Sequence, residues 1–269
     1  MNDERPAKYT HGHHESVLRG HQRRTAEDSA AYLLPHLTPG LSVLDIGGPG
    51  TITADLAVRV APGSVLAVDQ FVDVLNIARA EAQRRNLSNV SFARADVHKL
   101  DLPDDAFDVV HAHQVLQHVA DPVQALREMR RVCRPGGVVA ARDADYAGFI
   151  WYPRIPALDL WLDLYEKAAR ANRSEPDAGR HLLSWALEAG FGDISPTGSL
   201  WCYATPATRE WWGGMWADRI LHSGVARELL ALGLATTAQL EEMSAAWRAW
   251  AAAPDGWPAI PHGELLCRA

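Results

Sequence analysis

Residues 43–51 read Val-Leu-Asp-Ile-Gly-Gly-Pro-Gly-Thr, which indicates a buried strand that runs through a glycine-rich turn into a helix. Glycine permits positive φ and has no Cβ, so a ligand can lie directly against the main chain of such a turn. The free N–H groups at the start of the helix favour a ligand carboxylate. The segment therefore predicts a small-molecule binding site, with these candidate residues: Asp45, Gly47, Gly48, Gly50 and Thr51.

Two more acidic residues follow at the expected ends of the next two strands. Asp69 comes 24 residues after Asp45, where a carboxylate can accept both hydrogen bonds of a ribose diol. Asp96 follows the third strand, where it can accept from an adenine amino group. Each acid alone would also suit the N-cap of a helix. Because both acids stand at the ends of successive strands, binding of a ligand at one edge of the sheet is favoured. The neighbouring residues Gln70 and Val97 belong to the same predicted site.

Short apolar runs alternate with helical patterns between residues 41 and 145, which is typical of βαβ units in a parallel sheet. Strands are predicted over 42–46, 64–68, 90–94, 109–112 and 138–142. Helices are predicted over 24–34 and from near residues 51, 71 and 122. Further on, helices are predicted over 157–172 and 181–189, and a strand at 194–203 is predicted to pair with 263–268. The stretch between these last two strands has a helical pattern and is rich in tryptophan.

Several motifs occur in a fixed order along this region. The glycine turn is followed by Asp69, by Ala95-Asp96, by Phe-Asp-Val-Val-His-Ala-His-Gln-Val-Leu-Gln-His at 107–118 with Asp121-Pro122 behind it, and by Arg-Pro-Gly-Gly at 134–137. In this order the sequence resembles the class I S-adenosylmethionine-dependent methyltransferases. More narrowly, it is similar to their small-molecule branch, akin to the ubiquinone/menaquinone-biosynthesis enzymes. The resemblance covers residues 41–145 well and the ends of the chain loosely.

The resemblance implies an α/β fold with a doubly wound, Rossmann-like sheet of seven strands, mostly parallel with the last strand antiparallel. We therefore expect a methyltransferase core at 25–205 and 253–269, and a helical, Trp-rich insertion near the C-terminus at 206–252. Residues 1–24 are expected to be a lid over the cofactor or a flexible segment. The histidines within residues 9–15 fit no standard metal site, and no metal ion is expected.

The implied cofactor is S-adenosyl-L-methionine. By this resemblance the glycine turn holds the methionine end, Asp69 the ribose and Asp96 the adenine, while residues around His113 line the sulfonium. An N-terminal aromatic residue often lies near the cofactor in this family, which makes Tyr9 a candidate. The family turn reads Asp-x-Gly-x-Gly-x-Gly, and here it is one residue shorter. Either the tightened turn still binds the cofactor, or binding is impaired and the site has another use.

Methyl transfer from a sulfonium is an in-line displacement with an activated leaving group, so the protein mainly aligns the reactants and excludes water. A general base helps when the acceptor is a hydroxyl or an acidic carbon. The catalytic candidates at the ends of strands four and five are His113, His118 and Tyr146, with Asp143 and Asp145 beside them. His111, deeper in strand four, is predicted to be a hydrogen-bonded core histidine.

The acceptor is expected to bind between the loop at 143–152 and the Trp-rich stretch. The aromatic residues there favour an apolar, planar or prenyl-like acceptor: Trp151, Tyr152, Trp211, Trp212 and Trp216. The same residues also suit the core of the insertion, and the spacing of Trp212 and Trp216 favours that second interpretation. The sequence therefore predicts transfer of a methyl group to a small, fairly apolar metabolite.

Composition excludes other classes of partner. The formal charge is −7, from 26 Lys+Arg against 33 Asp+Glu, with no dense basic run, so no nucleic-acid partner is expected. No run of about 18 apolar residues occurs, so neither a membrane partner nor a secretory leader is predicted. Three widely spaced cysteines favour a reducing, cytoplasmic setting. A homodimer is one possible assembly.

Three alternative functions remain open from the sequence. An NAD(P)-dependent oxidoreductase needs G-x-G-x-x-G/A, whose third small residue is absent here. A degenerate methyltransferase fold with a binding or regulatory role would explain the short turn. An enzyme that keeps the cofactor but carries out a reaction other than methylation is the third alternative.

Overall fold

The computed structural model describes residues 9, 10, 12, 20 and 23–269, so most of the expected N-terminal lid lies outside the described residues. The strands of the described part are β1 (Ser42–Ile46), β2 (Ser64–Asp69), β3 (Val90–Arg94), β4 (Phe107–His113), β5 (Cys133–Ala144), β6 (Ile150–Tyr152), β7 (Asp193–Trp201) and β8 (Trp257–Arg268). Its α-helices are α1 (Ala26–Ser29), α2 (Thr51–Val60), α3 (Val72–Arg84), α4 (Pro122–Val132), α5 (Pro156–Ala171), α6 (Ala178–Glu188), α7 (Pro206–His222), α8 (Gly224–Ala231) and α9 (Thr237–Ala252).

The strands form one mixed sheet. β1 to β5 pair in parallel in the order β3-β2-β1-β4-β5, and β8 lies antiparallel between β5 and β7. The carboxyl ends of β1, β2, β3 and β4 therefore share one edge, because parallel strands joined by helices all point the same way. The predicted doubly wound α/β fold with an antiparallel last strand is confirmed.

The sheet has eight strands in the described part rather than the expected seven. The additional strand, β6, pairs with the first residues of β8, from Trp257 to Ala259. β5 pairs with β8 only from His262 onward, so the start of β8 has an open edge that the apolar run of β6 fills.

Apolar side chains on the two faces of the sheet form separate cores. One face packs Val43, Val65 and Val109 against α1 and α2, and the other packs Leu44, Val110 and Val139 against α4 and α6. The helix predicted over 24–34 is shorter than expected. A capping box between Thr25 and Asp28 starts α1, but Ala30 leaves the helical region at φ −140° and ψ 20°, which ends it after Ser29.

The chain between β7 and β8 forms the three helices α7, α8 and α9. They pack on α5 around four fully buried tryptophans: Trp161, Trp216, Trp247 and Trp250. Burial of these large rings removes a great deal of apolar surface from water. Most of the aromatic residues in this region therefore stabilise the fold. No helix in the described residues is long and apolar enough to cross a membrane.

Candidate functional site

The glycine turn after β1 is closely packed on two sides and open on a third. Gly47, Gly48 and Gly50 have φ of 81°, 100° and 97°, a region that residues with a Cβ rarely adopt. A Cβ at Gly47 would lie 2.7 Å from Cγ2 of Val115, and one at Gly50 would lie 2.6 Å from Cα of Ala78. A Cβ at Gly48 would meet nothing within 4 Å. The main chain of Gly48 is therefore accessible to a ligand.

Asp45 lies beneath this turn and is only 3% exposed. Its Oδ2 accepts a hydrogen bond from Oγ1 of Thr53 at 2.6 Å, and its Oδ1 accepts one from Nδ1 of His111 at 2.7 Å. These bonds tie the end of β1 to α2 and to β4. Asp45 thus affects a ligand only by supporting the turn that contacts it. His111 lies in the core, as expected.

Asp69 joins the end of β2 to the glycine turn. Its Oδ1 accepts from the backbone N–H of Phe71 at 2.8 Å, and its Oδ2 accepts from the N–H of Gly48 at 3.2 Å. These two bonds hold the carboxylate at the carboxyl end of β2, next to the glycine turn. Gln70, next to it, is exposed, and its carbonyl accepts from Nε of Arg94 at 3.1 Å.

Asp96 is exposed at the next strand end, with 64% of its side chain accessible. Partial burial raises the pKa of Asp96, but hydrogen bonds from the backbone and ring of His98 outweigh it and hold that pKa below its usual value. The carboxylate is therefore ionised and can accept from an amino group. Val97 is buried in the apolar core under the sheet, and Thr51 lies in the first turn of α2.

His113, at the end of β4, is buried behind the edge of the site. Its ring lies 5.7 Å from that of Trp201 and 6.4 Å from that of His262, and neither ring nitrogen has a partner in the described part of the chain. Burial, and then the charges of Arg24 and Arg142, hold the pKa of His113 well below its usual value. The ring is therefore neutral at physiological pH.

The structure brings Tyr9, His118 and Tyr146 together at a cavity. The ring of Tyr9 meets that of His118 edge-on at 4.8 Å, and Tyr146 lies 4.4 Å from Tyr165. Burial raises the pKa of Tyr9 to about 12, although nearby Arg219 and Arg24 oppose the shift, and burial also raises the pKa of Tyr146. Burial lowers the pKa of His118 to about 3, aided by the same arginines. At neutral pH the site thus presents two phenol donors and a neutral imidazole.

We call this space the acceptor cavity. It is a narrow space with a free volume of about 30 Å³ between the ends of β4, β5 and β7 and helix α7. Its walls are Tyr9, Gly20, Arg24, Gln114, Gln117, His118, Ala144, Tyr146, Phe149, Trp201, Tyr203, Trp211, Trp212, Met215, Arg219 and Ile260.

Of the five aromatic residues expected around the acceptor, two line the cavity, namely Trp211 and Trp212. Trp216 is fully buried among helices, and Tyr152 is 57% exposed. Sequence reasoning missed Arg24, Gln114 and several other wall residues. Gln114 and Gln117 belong to the motif at 107–118, so their closeness in sequence to the candidate His113 could have identified them. No sequence signal pointed to Arg24.

The sheet order and the ligand-accessible turn at its carboxyl edge define a Rossmann-like enzyme of the type that binds an adenosyl cofactor. The chain belongs to the methyltransferase-domain family, which residues 37–181 match. It is 37% identical over 227 residues to an uncharacterized methyltransferase of Schizosaccharomyces pombe, covering 80% of each chain. It is also 31% identical to the ubiquinone/menaquinone biosynthesis C-methyltransferase UbiE of Shewanella frigidimarina, over 67% of this chain and 76% of that one.

A solved structure with the same fold is that of phosphoethanolamine N-methyltransferase 2 of Haemonchus contortus, in complex with phosphomonomethylethanolamine and S-adenosylhomocysteine. The match has a TM-score of 0.56 at 18% identity and covers 89% of this chain and 52% of that one. The protein is a methyltransferase that depends on S-adenosylmethionine. The exposed main chain at Gly48 and the carboxylate of Asp69 beside it fit this cofactor.

Proposed function

We propose that the enzyme transfers the methyl group to a small, fairly apolar metabolite held in the acceptor cavity. The observation that carries this proposal is the aromatic wall of the cavity beside the glycine turn. Tyr146, Phe149, Trp201, Tyr203 and Trp212 supply flat apolar surfaces that suit a planar body. The similarity to a quinone-biosynthesis C-methyltransferase supports the same class of acceptor.

One short segment connects the cofactor side to the acceptor side. Val115 is the residue that a Cβ at Gly47 would strike at 2.7 Å, so the segment touches the glycine turn. Its neighbours Gln114, Gln117 and His118 line the acceptor cavity. Residues 114–118 therefore border both binding regions, which supports an acceptor held next to the transferable methyl group.

S-adenosylmethionine supplies an activated methyl group on its sulfonium. We propose that the main chain of Gly47, Gly48 and Gly50 and the start of α2 at Thr51 hold its methionine end, while Asp69 accepts from the ribose and Asp96 from the adenine. Asp45 holds the turn in place through Thr53 and His111. Gln70 and Val97 border the adenosine.

The residues around the cavity exclude water and position the acceptor. Tyr9 and Tyr146 keep their protons and can donate hydrogen bonds to it. His118 is neutral, and its Nε2 accepts a hydrogen bond from Nε2 of Gln117 at 2.9 Å, since Oε1 of Gln117 accepts from the N–H of Ala144. This bond and its low pKa make His118 a poor base. His113 does not line the cavity. Its ring lies near those of Trp201 and His262, so it can influence the cavity only by positioning these neighbours. The chemistry therefore depends mainly on alignment.

Two measurements test the proposal. Calorimetry with S-adenosylhomocysteine should show binding, and labelled methyl groups should transfer to members of a panel of planar aromatic hydroxyl and quinol compounds. A second panel of small polar amines is the comparison. Transfer to amines alone would contradict the acceptor class, and a lack of cofactor binding would contradict the site.

A further inference from the structure

Asp143, near the end of β5, is a fully buried acid with one oxygen that has no partner. Its Oδ1 accepts from the N–H of Gln117 at 3.1 Å, and the N–H of Leu116 also donates to the carboxyl group. Its Oδ2 has no hydrogen-bond partner in the described part of the chain. Burial raises the pKa of Asp143 to about 7, although these hydrogen bonds and the charge of Arg142 oppose the shift. The group therefore gains and loses its proton near neutral pH.

The charged groups on the neighbouring elements have other partners. Arg142 precedes Asp143 on β5, so its side chain points to the opposite face of the sheet. There its Nε lies 3.3 Å from Oε1 of Glu264 on β8. Asp145, two residues after Asp143, pairs with Nη2 of Arg180 on α6 at 2.5 Å. Among the described residues, none of these cations pairs with Asp143.

Three more titratable groups lie just before α6 and in its first turn. Glu175 and Asp177 both contact Nη2 of Arg170, at 3.7 Å and 2.5 Å. The ring of His181 stacks on that of Trp185, with the centres 5.5 Å apart. Each of these groups thus has a partner of its own.

The histidines of β4, β8 and the segment after β4 supply no counter-charge to Asp143. Burial holds the pKa of His113, His118 and His262 below its usual value, so these three rings are neutral at pH 7. His111 bonds to Asp45 and is in register with Ala140, which places it on the face opposite to Asp143. Within the described residues, Asp143 is therefore an acid without a cation beside it.

Segment 114–118 connects Asp143 to both binding regions. Gln117, whose N–H donates to Asp143, lies two residues after Val115, which meets the glycine turn at Gly47. Two residues of chain span at most about 7 Å. Ala144, the residue after Asp143, lines the acceptor cavity. Asp143 thus lies near the border between the cofactor region and the cavity.

The methyl group must lie at this border, because an in-line displacement requires contact between donor and acceptor. The sulfonium that carries it is a cation. Arg24 and Arg219 line the cavity, and no carboxylate lines it in the part of the chain that the structure describes. At the glycine turn, Asp45 and Asp69 already accept two hydrogen bonds each. Asp143 is the acid near this border that still has an oxygen without a partner.

We propose that the carboxylate of Asp143 is the counter-charge for the sulfonium, so that it makes the enzyme prefer S-adenosylmethionine to the neutral product S-adenosylhomocysteine. Asp143 releases its proton to solvent when the charged cofactor binds, because a nearby positive charge favours the ionised form. It takes up a proton from solvent once the methyl group has left, since the remaining thioether carries no charge. The proposal rests on the proposed function for the position of the cofactor, and it is independent of the identity of the acceptor.

Calorimetry on the full chain with S-adenosylmethionine and S-adenosylhomocysteine tests the proposal without any variant. The two probes differ only in the methyl group and its charge. From about pH 5.5 to about pH 7.5, the ratio of their affinities should rise about 10-fold in favour of S-adenosylmethionine, since at the higher pH no proton has to be removed. The affinity for S-adenosylhomocysteine should change little. A ratio that stays constant with pH would overturn the proposal.

Proton release gives a second measurement on the same protein. Titrations at about pH 6.5 in phosphate and in Tris, which differ in their enthalpy of ionisation, should show that S-adenosylmethionine releases about half a proton more than S-adenosylhomocysteine. Equal release with the two probes would contradict the role of Asp143. If neither probe binds the natural chain, the cofactor site itself is wrong, and the counter-charge with it.

An Asp143→Asn variant identifies the residue responsible, because its side-chain oxygen can still accept from the N–H of Gln117 but the amide cannot ionise. The variant should bind S-adenosylhomocysteine as the natural chain does. It should lose about 10-fold in affinity for S-adenosylmethionine at about pH 7.5 and release no extra proton. Asp101→Asn, at an exposed position, is the matched control and should keep the natural ratio and its pH dependence.

An undiminished preference for S-adenosylmethionine in Asp143→Asn would contradict the proposal, as would an equal loss in Asp101→Asn. Binding of S-adenosylhomocysteine by Asp143→Asn shows that this variant is folded. Should it fail to fold, the pH dependence and the proton release of the natural chain decide the matter by themselves.

Discussion

Nδ1 of His111 donates a hydrogen bond to Oδ1 of Asp45 at 2.7 Å, with both side chains buried. The bond joins adjacent strands at the point where β1 enters the glycine turn, since Asp45 and His111 face each other in the register of β1 and β4. Asp45 therefore connects the turn to the core of the sheet. Its two bonds fix the direction in which the turn leaves β1.

Asp45→Asn should lower the free energy of unfolding by about 1–3 kcal/mol, because at least one buried hydrogen bond loses its acceptor. It should also weaken binding of S-adenosylhomocysteine, since the turn loses its support. Chemical denaturation and calorimetry measure the two effects. Asp73→Asn, at an exposed position in α3, is the control and should change neither. Unchanged stability of Asp45→Asn would show that the buried pair does not hold the turn.

Asp69→Ala should weaken binding of S-adenosylhomocysteine by about 1–3 kcal/mol, the range for removing a hydrogen-bonded charged partner. The Gly48 N–H loses its acceptor in the same variant, so the turn and the ribose contact are both affected. Asp101→Ala, at an exposed position, is the comparison. An unchanged dissociation constant for Asp69→Ala would count against the ribose assignment.

The Gly48→Ala variant distinguishes the effect of backbone strain on stability from the effect of a blocked ligand contact on cofactor affinity. Gly48 and Gly40 have φ of 100° and 96°, and a Cβ at either would meet nothing within 4 Å. Both Gly→Ala variants should therefore lose similar stability, about 1–2 kcal/mol from the left-handed conformation. Only Gly48→Ala should weaken cofactor binding, because its methyl group occupies the space we assign to the ligand. Equal cofactor affinities in the two variants would place the ligand elsewhere.

Asp143 should make stability depend on pH. Burial raises its pKa from 3.8 to about 7, although hydrogen bonds from the backbone of Gln117 and Leu116 oppose the shift. Between these two values the unfolded chain has lost the proton that the folded protein keeps. The free energy of unfolding should therefore fall as pH rises from about 4 to about 7 and level off above that range.

Chemical denaturation of Asp143→Asn across this pH range tests whether Asp143 makes the free energy of unfolding fall as pH rises, because the amide of the variant cannot ionise. The variant should show a flatter profile than the natural chain and a relative gain in stability above pH 7. Asp101→Asn, with its exposed side chain, should keep the natural slope. Parallel profiles for Asp143→Asn and the natural chain would mean that Asp143 is ionised in the folded state.

The first five strands and the positions of Asp69 and Asp96 could be predicted from the sequence, because they depend on local patterns. Apolar runs set the strands and glycines set the turn after β1. Once the strands are parallel, chain order alone puts each strand-end acid at the same edge. The same reasoning failed for the helix at 24–34, where a cap and a single non-helical residue, Ala30, decide the length.

Tertiary structure alone decided the character of the acceptor cavity. Arg24 meets Gln114 across 90 positions of sequence, and Arg142 and Trp201 come together only because β5 and β7 both pair with β8. Burial then makes His118 and His113 neutral, an effect that depends on surrounding atoms and not on neighbours in the chain. The sequence by itself thus determined the sheet and the cofactor edge, whose signals are local. Long-range packing decided which charges line the cavity, because such contacts leave no periodic pattern in the chain.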